Sequence, residues 1–307
     1  MTKIFVDGAA GTTGLQIRER LAGRRDVETI VLPESQRKDA GARRDALNAA
    51  DIVVLCLPDD AAREAVALID NDTTRVIDAS TAHRVAPGWV YGFPEVSGRN
   101  AVAGAKRVSN PGCYSTGFIA LVAPLVKAGL IPADAALTCN AVSGYSGGGK
   151  GMIAEFEDGP APTAWRSYAL KLNHKHVPEM RERSGLSISP IFAPSVANLF
   201  SGMIVEVPLH LSALAGRPKA AALREALADF YLGSPIVSVV SSYDEGTLAI
   251  ERLAGTDRLD LFVFGDKEDG QVRLVAALDN LGKGAAGAAV QSLNLMAGLA
   301  ETEGLRL

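Results

Sequence analysis

Residues 3–7 (KIFVD) form a short apolar strand that runs straight into GAAGTTG at 8–14, and the apolar-periodic run LQIRERLA follows. Strand, glycine turn and helix in that order constrain the fold more than any other feature. They are the first unit of an open parallel sheet that binds a dinucleotide. Glycine lets the backbone approach a pyrophosphate, and the N–H groups at the helix start meet its charge. The spacing is G-x-x-G-x-x-G, not G-x-G-x-x-G, so a plain tight turn is the competing interpretation. Gly8, Gly11, Thr12, Thr13 and Gly14 are the residues expected at the phosphates.

The next strand spans 27–33 (VETIVLP). Glu34 stands where an acidic residue takes the ribose hydroxyls of NAD, but Ser35, Gln36, Arg37 and Lys38 follow at once. A hydroxyl and two cations beside the ribose suit a 2′-phosphate, which points to NADP; a solvated basic loop is the plain alternative. Residues 51–57 (DIVVLCL) form a buried parallel strand, closed by Pro58 ahead of the helix DDAAREAVALI. Cys56 lies inside that apolar run as a small core residue. A further strand at 75–79 (RVIDA) ends at Ser80, Thr81, His83 and Arg84. That is the carboxyl side, where open sheets bind ligands.

The chemistry concentrates at 109–116 (SNPGCYST). Pro-Gly punctuates the chain, and FIALVAPLVKAGL after it reads as a helix interrupted near Pro124. Cys113 then lies at or near a helix N-terminus, where backbone N–H groups favour a thiolate and can also meet an oxyanion. An inert buried cysteine is the competing interpretation. A second glycine cluster, SGYSGGGKG at 143–151, follows a strand at 136–142 that contains Cys139. It is not a P-loop, because Gly151 follows Lys150. It reads as an anion cradle, a flexible loop near substrate or a subunit contact.

His174 and His176 account for two of the four histidines. No further Cys/His cluster completes a zinc site, so no metal is expected. In an extended stretch the two rings face opposite ways. One then reaches the thiol as acid or base while the other packs or binds substrate, and Glu179 can orient one of them.

The chain has 307 residues, long enough for two domains. Its net charge of -4 gives no broad attraction to nucleic acid or acidic membranes. No apolar run is long enough for a membrane span, and no secretory leader is evident. Three cysteines without scaffold spacing fit a reducing, cytoplasmic compartment. Strands expected near 203–211, 235–240, 259–264 and 272–278, with a helix at 220–230, make a strand-rich second half. The fold class is α/β: a Rossmann-type dinucleotide-binding domain over 1–112 and a second α+β catalytic domain over 113–282, on a mixed or antiparallel sheet. A small-residue helix at about 283–304 is expected to return to the first domain.

Seven segments together resemble the short form of the N-acetyl-gamma-glutamyl-phosphate reductase family, within the wider semialdehyde dehydrogenase group. They are GAAGTTG, DASTAHR at 78–84, YGFPEV at 91–96, NPGCYST, SGYSGGGK, NHKHVPEM at 173–180 and DNLGKGAAGAAVQSLN at 279–294. The resemblance implies NADPH-dependent reduction of N-acetyl-L-glutamyl 5-phosphate to the 5-semialdehyde in arginine biosynthesis, with phosphate released. It implies a catalytic Cys113, an acid/base among His174 and His176, and a homodimer or homotetramer built through the second domain. Pro58, Ser80, Asn280 and Gly284 join the cofactor residues. Arg84, Asn110, Ser143, Gly144, Lys150 and Tyr168 are the substrate residues. Long members resemble F-x-P-H-L-x-P-x-x-R-G where this chain has IFAPSVANLFSGM, with Ser195, Phe200 and Ser201. A different cation is therefore needed for an acidic part of the substrate, and Arg84, Lys150, Arg166 and Lys175 are the candidates. The alternatives are another acyl-phosphate reductase, such as aspartate-semialdehyde dehydrogenase, and a non-catalytic NADP-binding regulator.

Overall fold

The computed structural model describes residues 1–214, 216–265 and 270–307. The chain forms two compact units, Met1–Pro111 with Ala285–Leu305, and Gly112–Gly284 with Arg306–Leu307.

In the first unit, β1 (Thr2–Asp7), β2 (Val27–Ile30), β3 (Ile52–Leu55), β4 (Arg75–Asp78), β5 (Val90–Tyr91) and β6 (Arg107–Ser109) make one sheet. Its order is β2-β1-β3-β4-β6-β5 and its pairs are parallel. The helices are α1 (Thr12–Leu21), α2 (Ala40–Ala49), α3 (Asp59–Ala67), α4 (Pro94–Ser97) and α5 (Arg99–Gly104). Period-2 alternation sends Ile4, Val6, Ile52 and Val54 into one apolar cluster, and Phe5, Val53 and Leu55 into another on the opposite face. A strand buried on both sides has to be apolar throughout, as β3 is. β2 stops at Ile30, short of the expected 33. Ile30 is its last residue in register with β1, and this edge strand leaves the sheet ahead of Pro33.

The second unit begins with α6 (Cys113–Lys127), β7 (Thr138–Gly144), α7 (Gly149–Glu157), β8 (Trp165–Ser167), α8 (Val177–Ser184) and β9 (Ile191–Ala197). It continues with β10 (Met203–His210), α9 (Ala220–Phe230), β11 (Val237–Val239), β12 (Leu259–Gly265) and β13 (Gln271–Leu278). The sheet is mixed, in the order β11-β12-β13-β10-β7-β9-β8, with β7–β9 and β11–β12 parallel. α6 packs on β10, β12 and β13 and against α8 and α9.

Two helices differ from expectation. α6 starts at Cys113 itself and runs through Pro124 without interruption. Proline cannot donate to the carbonyl four residues back. Here that carbonyl, Ala120 O, accepts the Tyr231 hydroxyl at 2.9 Å instead. The last helix, α10 (Gly287–Ala297), lies in the first unit's apolar cluster through Ala289, Val290 and Leu293. It follows a π turn at Gly282–Ala286 and ends well before 304, where Gly298 takes a left-handed conformation that a helix C-terminus favours. Among the described residues, no helix is long and apolar enough to cross a membrane.

Candidate active site

The glycine turn is built as the sequence suggests. Gly8 ends β1 at φ +82°, and a Cβ there would stand 2.2 Å from the Cys56 carbonyl oxygen, so only glycine fits. Gly11 N–H closes the turn on Gly8 O at 2.9 Å. Gly11 is also the N-cap of α1 and supplies no capping side chain, so the first-turn N–H groups of Thr12, Thr13 and Gly14 suit a pyrophosphate. A cavity of about 530 Å³ adjoins it, lined among others by Asp7, Gly8, Arg18, Ser35, Arg37, Lys38 and Arg43. Arg43 gives its charge to the buried Asp7 carboxylate at 2.8 Å. Arg18, Arg37 and Lys38 are the cations that fit an additional phosphate. Arg18 was missed from sequence, although it lies one helical turn beyond Gly14 and so shares its face.

Pro58 is the N-cap of α3, and its neighbour Leu57 lines that cavity. Ser80 donates to Asp78 Oδ2 at 2.8 Å, an oxygen shared with His83 Nδ1 at 2.6 Å. Arg84 is buried and donates through Nε to Asn110 O at 3.0 Å. Asn110 in turn donates through Nδ2 to Ala285 O at 2.9 Å.

In the second unit, Cys113 is the first residue of α6 and Gly112 is its N-cap, with no side-chain cap from Gly112. The first-turn N–H groups of α6 lie beside the thiol, which is the arrangement that favours a thiolate. A cavity of about 220 Å³ is lined by Cys113, Tyr114, Ser143, Gly147, Gly148, Met152, Tyr168, His174, Lys175 and Val196. Thus the structure gathers Cys113, Ser143, Tyr168 and His174 from four separated segments. Tyr168 OH donates to Tyr114 OH at 3.1 Å, and Tyr114 OH meets Ser143 Oγ at 2.8 Å. Burial first, then charge at Cys113 among other groups, pushes both tyrosine hydroxyls above their ordinary range, so they stay protonated donors.

The histidine pair does not lie in an extended stretch with its rings opposed. It sits in a turn, His176 is the N-cap of α8, and the ring centroids are 4.6 Å apart. The turn is reached through left-handed Ala169 (φ 53°) and Leu172 (φ 58°). For non-glycine residues that conformation costs roughly 1 kcal/mol each. His176 N–H donates to His174 Nδ1 at 3.1 Å. A neutral His174 therefore carries its proton on Nε2. His176 is 5% exposed and packs near Tyr114. Glu179 accepts from Gly112 N–H and from Ser115 Oγ, both at 2.8 Å, on the segment that carries the cysteine.

Gly284 lies directly on the nucleophile: a Cβ there would come within 2.9 Å of Cys113 Cβ. Asn280 is buried, accepts from Gly202 N–H at 3.0 Å and donates to Ser146 Oγ at 2.9 Å, which braces the glycine loop. Gly144 continues β7 into that loop. Of the four candidate cations, Arg166 is held bidentately by Glu155 and Arg84 serves backbone carbonyls. Lys150 stands exposed on α7, outside the residues lining the cavity, and Lys175 lines it. The other two cysteines are poor nucleophiles. Burial, with Asp78 and Asp7 nearby, pushes the Cys56 thiol up to about 12, and burial pushes Cys139 higher still.

Residues 3–105 match the family model for the semialdehyde dehydrogenase NAD binding domain, and residues 113–280 match that for the semialdehyde dehydrogenase dimerisation domain. An N-acetyl-gamma-glutamyl-phosphate reductase of Brucella anthropi is 54% identical over 306 residues, covering 96% of this chain and 98% of that protein. The Brucella ovis protein of the same name is 54% identical and covered to 99%. Among solved structures, aspartate semialdehyde dehydrogenase II of Vibrio cholerae aligns with a TM-score of 0.72 at 16% identity, covering 96% of this chain and 98% of that one. The Francisella tularensis aspartate semialdehyde dehydrogenase gives 0.69 at 14% identity, covering 96% and 100%. At such identities the solved structures establish the shared fold alone, and the sequence relatives establish the family. With both family models matched in order and 54% identity along nearly its full length, this chain belongs to the N-acetyl-gamma-glutamyl-phosphate reductase family of semialdehyde dehydrogenases.

Proposed function

We propose that this chain reduces N-acetyl-L-glutamyl 5-phosphate to N-acetyl-L-glutamate 5-semialdehyde with NADPH, releasing phosphate, as a step of arginine biosynthesis. The observation that carries this reading is the cavity shared by Cys113, His174 and Lys175 at the start of α6. The Cys113 thiolate attacks the acyl carbon, the bond from that carbon to the phosphate oxygen breaks, and phosphate leaves a thioester on Sγ. NADPH, when bound, supplies the hydride that reduces this thioester. His174 donates a hydrogen bond from Nε2–H to the acyl oxygen, without giving up the proton, as negative charge develops there, with the α6 N–H groups beside it. Collapse of the oxyanion expels the Cys113 thiolate and frees the aldehyde. His176 supports the reaction by holding the His174 tautomer through its backbone N–H.

Lys175 takes the substrate carboxylate, the role left open by the absent family arginine. Tyr168 and Ser143 supply hydrogen bonds to the bound acyl group. Asn280 and Gly284 are assigned to supporting the loop and the nucleophile. Gly8, Gly11, Thr12, Thr13 and Gly14 hold the pyrophosphate, and Arg37 and Lys38, with Ser35, hold the 2′-phosphate. The match to a dimerisation-domain model, with Trp165 and Ile191 more than half exposed on β8 and β9, supports a homodimer or homotetramer. The free cysteines support a cytoplasmic location.

The reverse assay is the direct test: N-acetyl-glutamate semialdehyde, phosphate and NADP should yield NADPH, and phosphate should be required. Equal or better turnover with unacetylated aspartate semialdehyde would overturn the substrate assignment.

A further inference from the structure

We propose that Glu179 is the positioning residue of the nucleophile: it clamps the segment on both sides of Cys113, through the Gly112 backbone N–H and the Ser115 side-chain hydroxyl, and biases the ionisation of the thiol. The inference rests on Cys113 acting as proposed above. Glu179 is 1% exposed, and both of its oxygens are spent on the turn that carries the cysteine. Oε1 accepts from Gly112 N–H and Oε2 from Ser115 Oγ, each at 2.8 Å. These residues stand one before and two after Cys113. A single carboxylate therefore fixes the backbone from which the Cβ–Sγ bond emerges. Gly284 closes off the other approach to Cys113 Cβ.

The local sequence makes this clamp available. Glu179 is the third residue of α8, where a glutamate ordinarily turns back to the N–H of its own N-cap. That N–H, from His176, goes to His174 Nδ1 instead. The carboxylate is released to reach α6. Residues 174–179 thus orient both partners of the reaction, the imidazole through one hydrogen bond and the thiol through two.

The clamp has an electrostatic consequence. Both Glu179 oxygens accept, and the negative charge of a carboxylate so placed beside the turn opposes the thiolate that the N–H groups favour. Other titratable groups around the thiol are His174 and Lys175 from the preceding turn, His176 at the α8 cap, and Tyr168 and Tyr114. Asp279 and Lys283 lie on the segment whose Gly284 abuts Cys113. Lys175 pulls the other way from Glu179, so the carboxylate partly offsets that cation at the thiol.

Three variants of the full-length protein separate position from charge. Glu179→Gln keeps the shape: its oxygen still accepts from Gly112 N–H, and its NH₂ can donate to Ser115 Oγ. Glu179→Ala removes the clamp, and Ser115→Ala removes half of it. The readouts are the rate of iodoacetamide labelling of Cys113 between pH 5 and 10, followed by peptide mass spectrometry, and kcat and KM. Glu179→Gln is expected to shift the labelling midpoint down by roughly 0.5–1 pH unit, because the opposing charge is gone. Glu179→Ala is expected to lower kcat about 10–100-fold with KM for NADPH little changed, and glutamine to restore most of that loss. Ser115→Ala is expected to lower kcat about 3–10-fold without moving the midpoint, and it carries the positional test if the alanine variant at 179 does not fold. A Glu179→Gln labelling curve superimposed on that of the parent overturns the charge role. A kcat unaffected by losing Ser115 Oγ and by Glu179→Ala overturns the clamp. Labelling reads the thiol without turnover, so a shifted midpoint in a protein that reduces no acyl phosphate supports the clamp and removes the proposed reaction.

Discussion

The glycine turn at Gly8–Gly14 and the start of α6 at Cys113 are both helix N-termini without a capping side chain from their own N-cap residue, yet they are built in different ways. At the first, seven consecutive residues make the turn itself, and its backbone N–H groups are the atoms proposed to meet the pyrophosphate. At the second, the helix start is only a platform. The groups proposed to make it a reaction site come from residues 143, 168, 174–175 and 179, all outside α6. A diffuse phosphate charge needs only aligned N–H groups, whereas acyl transfer needs a nucleophile, a proton donor and a substrate anchor in one geometry. The local site tolerates distant change; the assembled site depends on it.

The largest expected effect comes from removing the sulfur. Cys113→Ala should lower kcat by at least about a thousandfold while NADPH titration remains near that of the parent. Loss of both together would show that the two regions are not separable. Gly8→Ala makes the reciprocal cut. With φ +82° and a backbone oxygen 2.2 Å from the new Cβ, the turn must shift. NADPH affinity should fall by about a hundredfold or more, since the aligned N–H groups of this turn are its proposed pyrophosphate contacts. Iodoacetamide should still label Cys113 at the parent rate.

Arg37→Ala sharpens the first region. It should weaken NADPH about tenfold or more and leave NADH nearly unchanged, as expected for a charged contact to the 2′-phosphate alone. Equal loss for both cofactors would place that arginine elsewhere. Tyr231→Phe tests the platform of the second region. It leaves Ala120 O without its donor in the gap made by Pro124. The expected cost is roughly 1–3 kcal/mol of stability by denaturant titration, with kcat retained.

The smallest effect is a pH dependence. Burial raises the Cys139 thiol above its ordinary range, so the folded chain keeps a proton that the unfolded chain releases above about pH 8.5. The unfolded state then binds fewer protons, and stability must fall as pH rises past that point. Cys139→Ala should flatten the fall of the melting temperature between pH 8 and 10.

Legibility followed the same division. The glycine turn, the β3 core strand and the placement of residues 37–38 beside that turn are readable because the determinants are contiguous. Cys113 at a helix start was readable for the same reason, since Pro-Gly precedes an apolar run. The histidine geometry was not: the turn before it uses left-handed Ala169 and Leu172, residue types that carry no turn signal. Nor was the target of Glu179. It was read as orienting an imidazole, but its hydrogen bonds reach Gly112, 67 residues away. Continuity of α6 through Pro124 likewise depends on a hydroxyl 111 residues from the carbonyl it satisfies. Short-range pattern specifies elements and their ends, while long-range pairing decides which polar atoms meet.

The central claim is a covalent acyl intermediate on Cys113. Mixing the protein with N-acetyl-L-glutamyl 5-phosphate without NADPH, quenching in acid and sequencing the peptides by mass spectrometry tests it directly. The account predicts one N-acetylglutamyl group on the peptide containing Cys113, with a molar equivalent of phosphate released and the adduct discharged as aldehyde when NADPH is added. Phosphate release with no adduct on that peptide, or an adduct on Cys56 or Cys139, would contradict it.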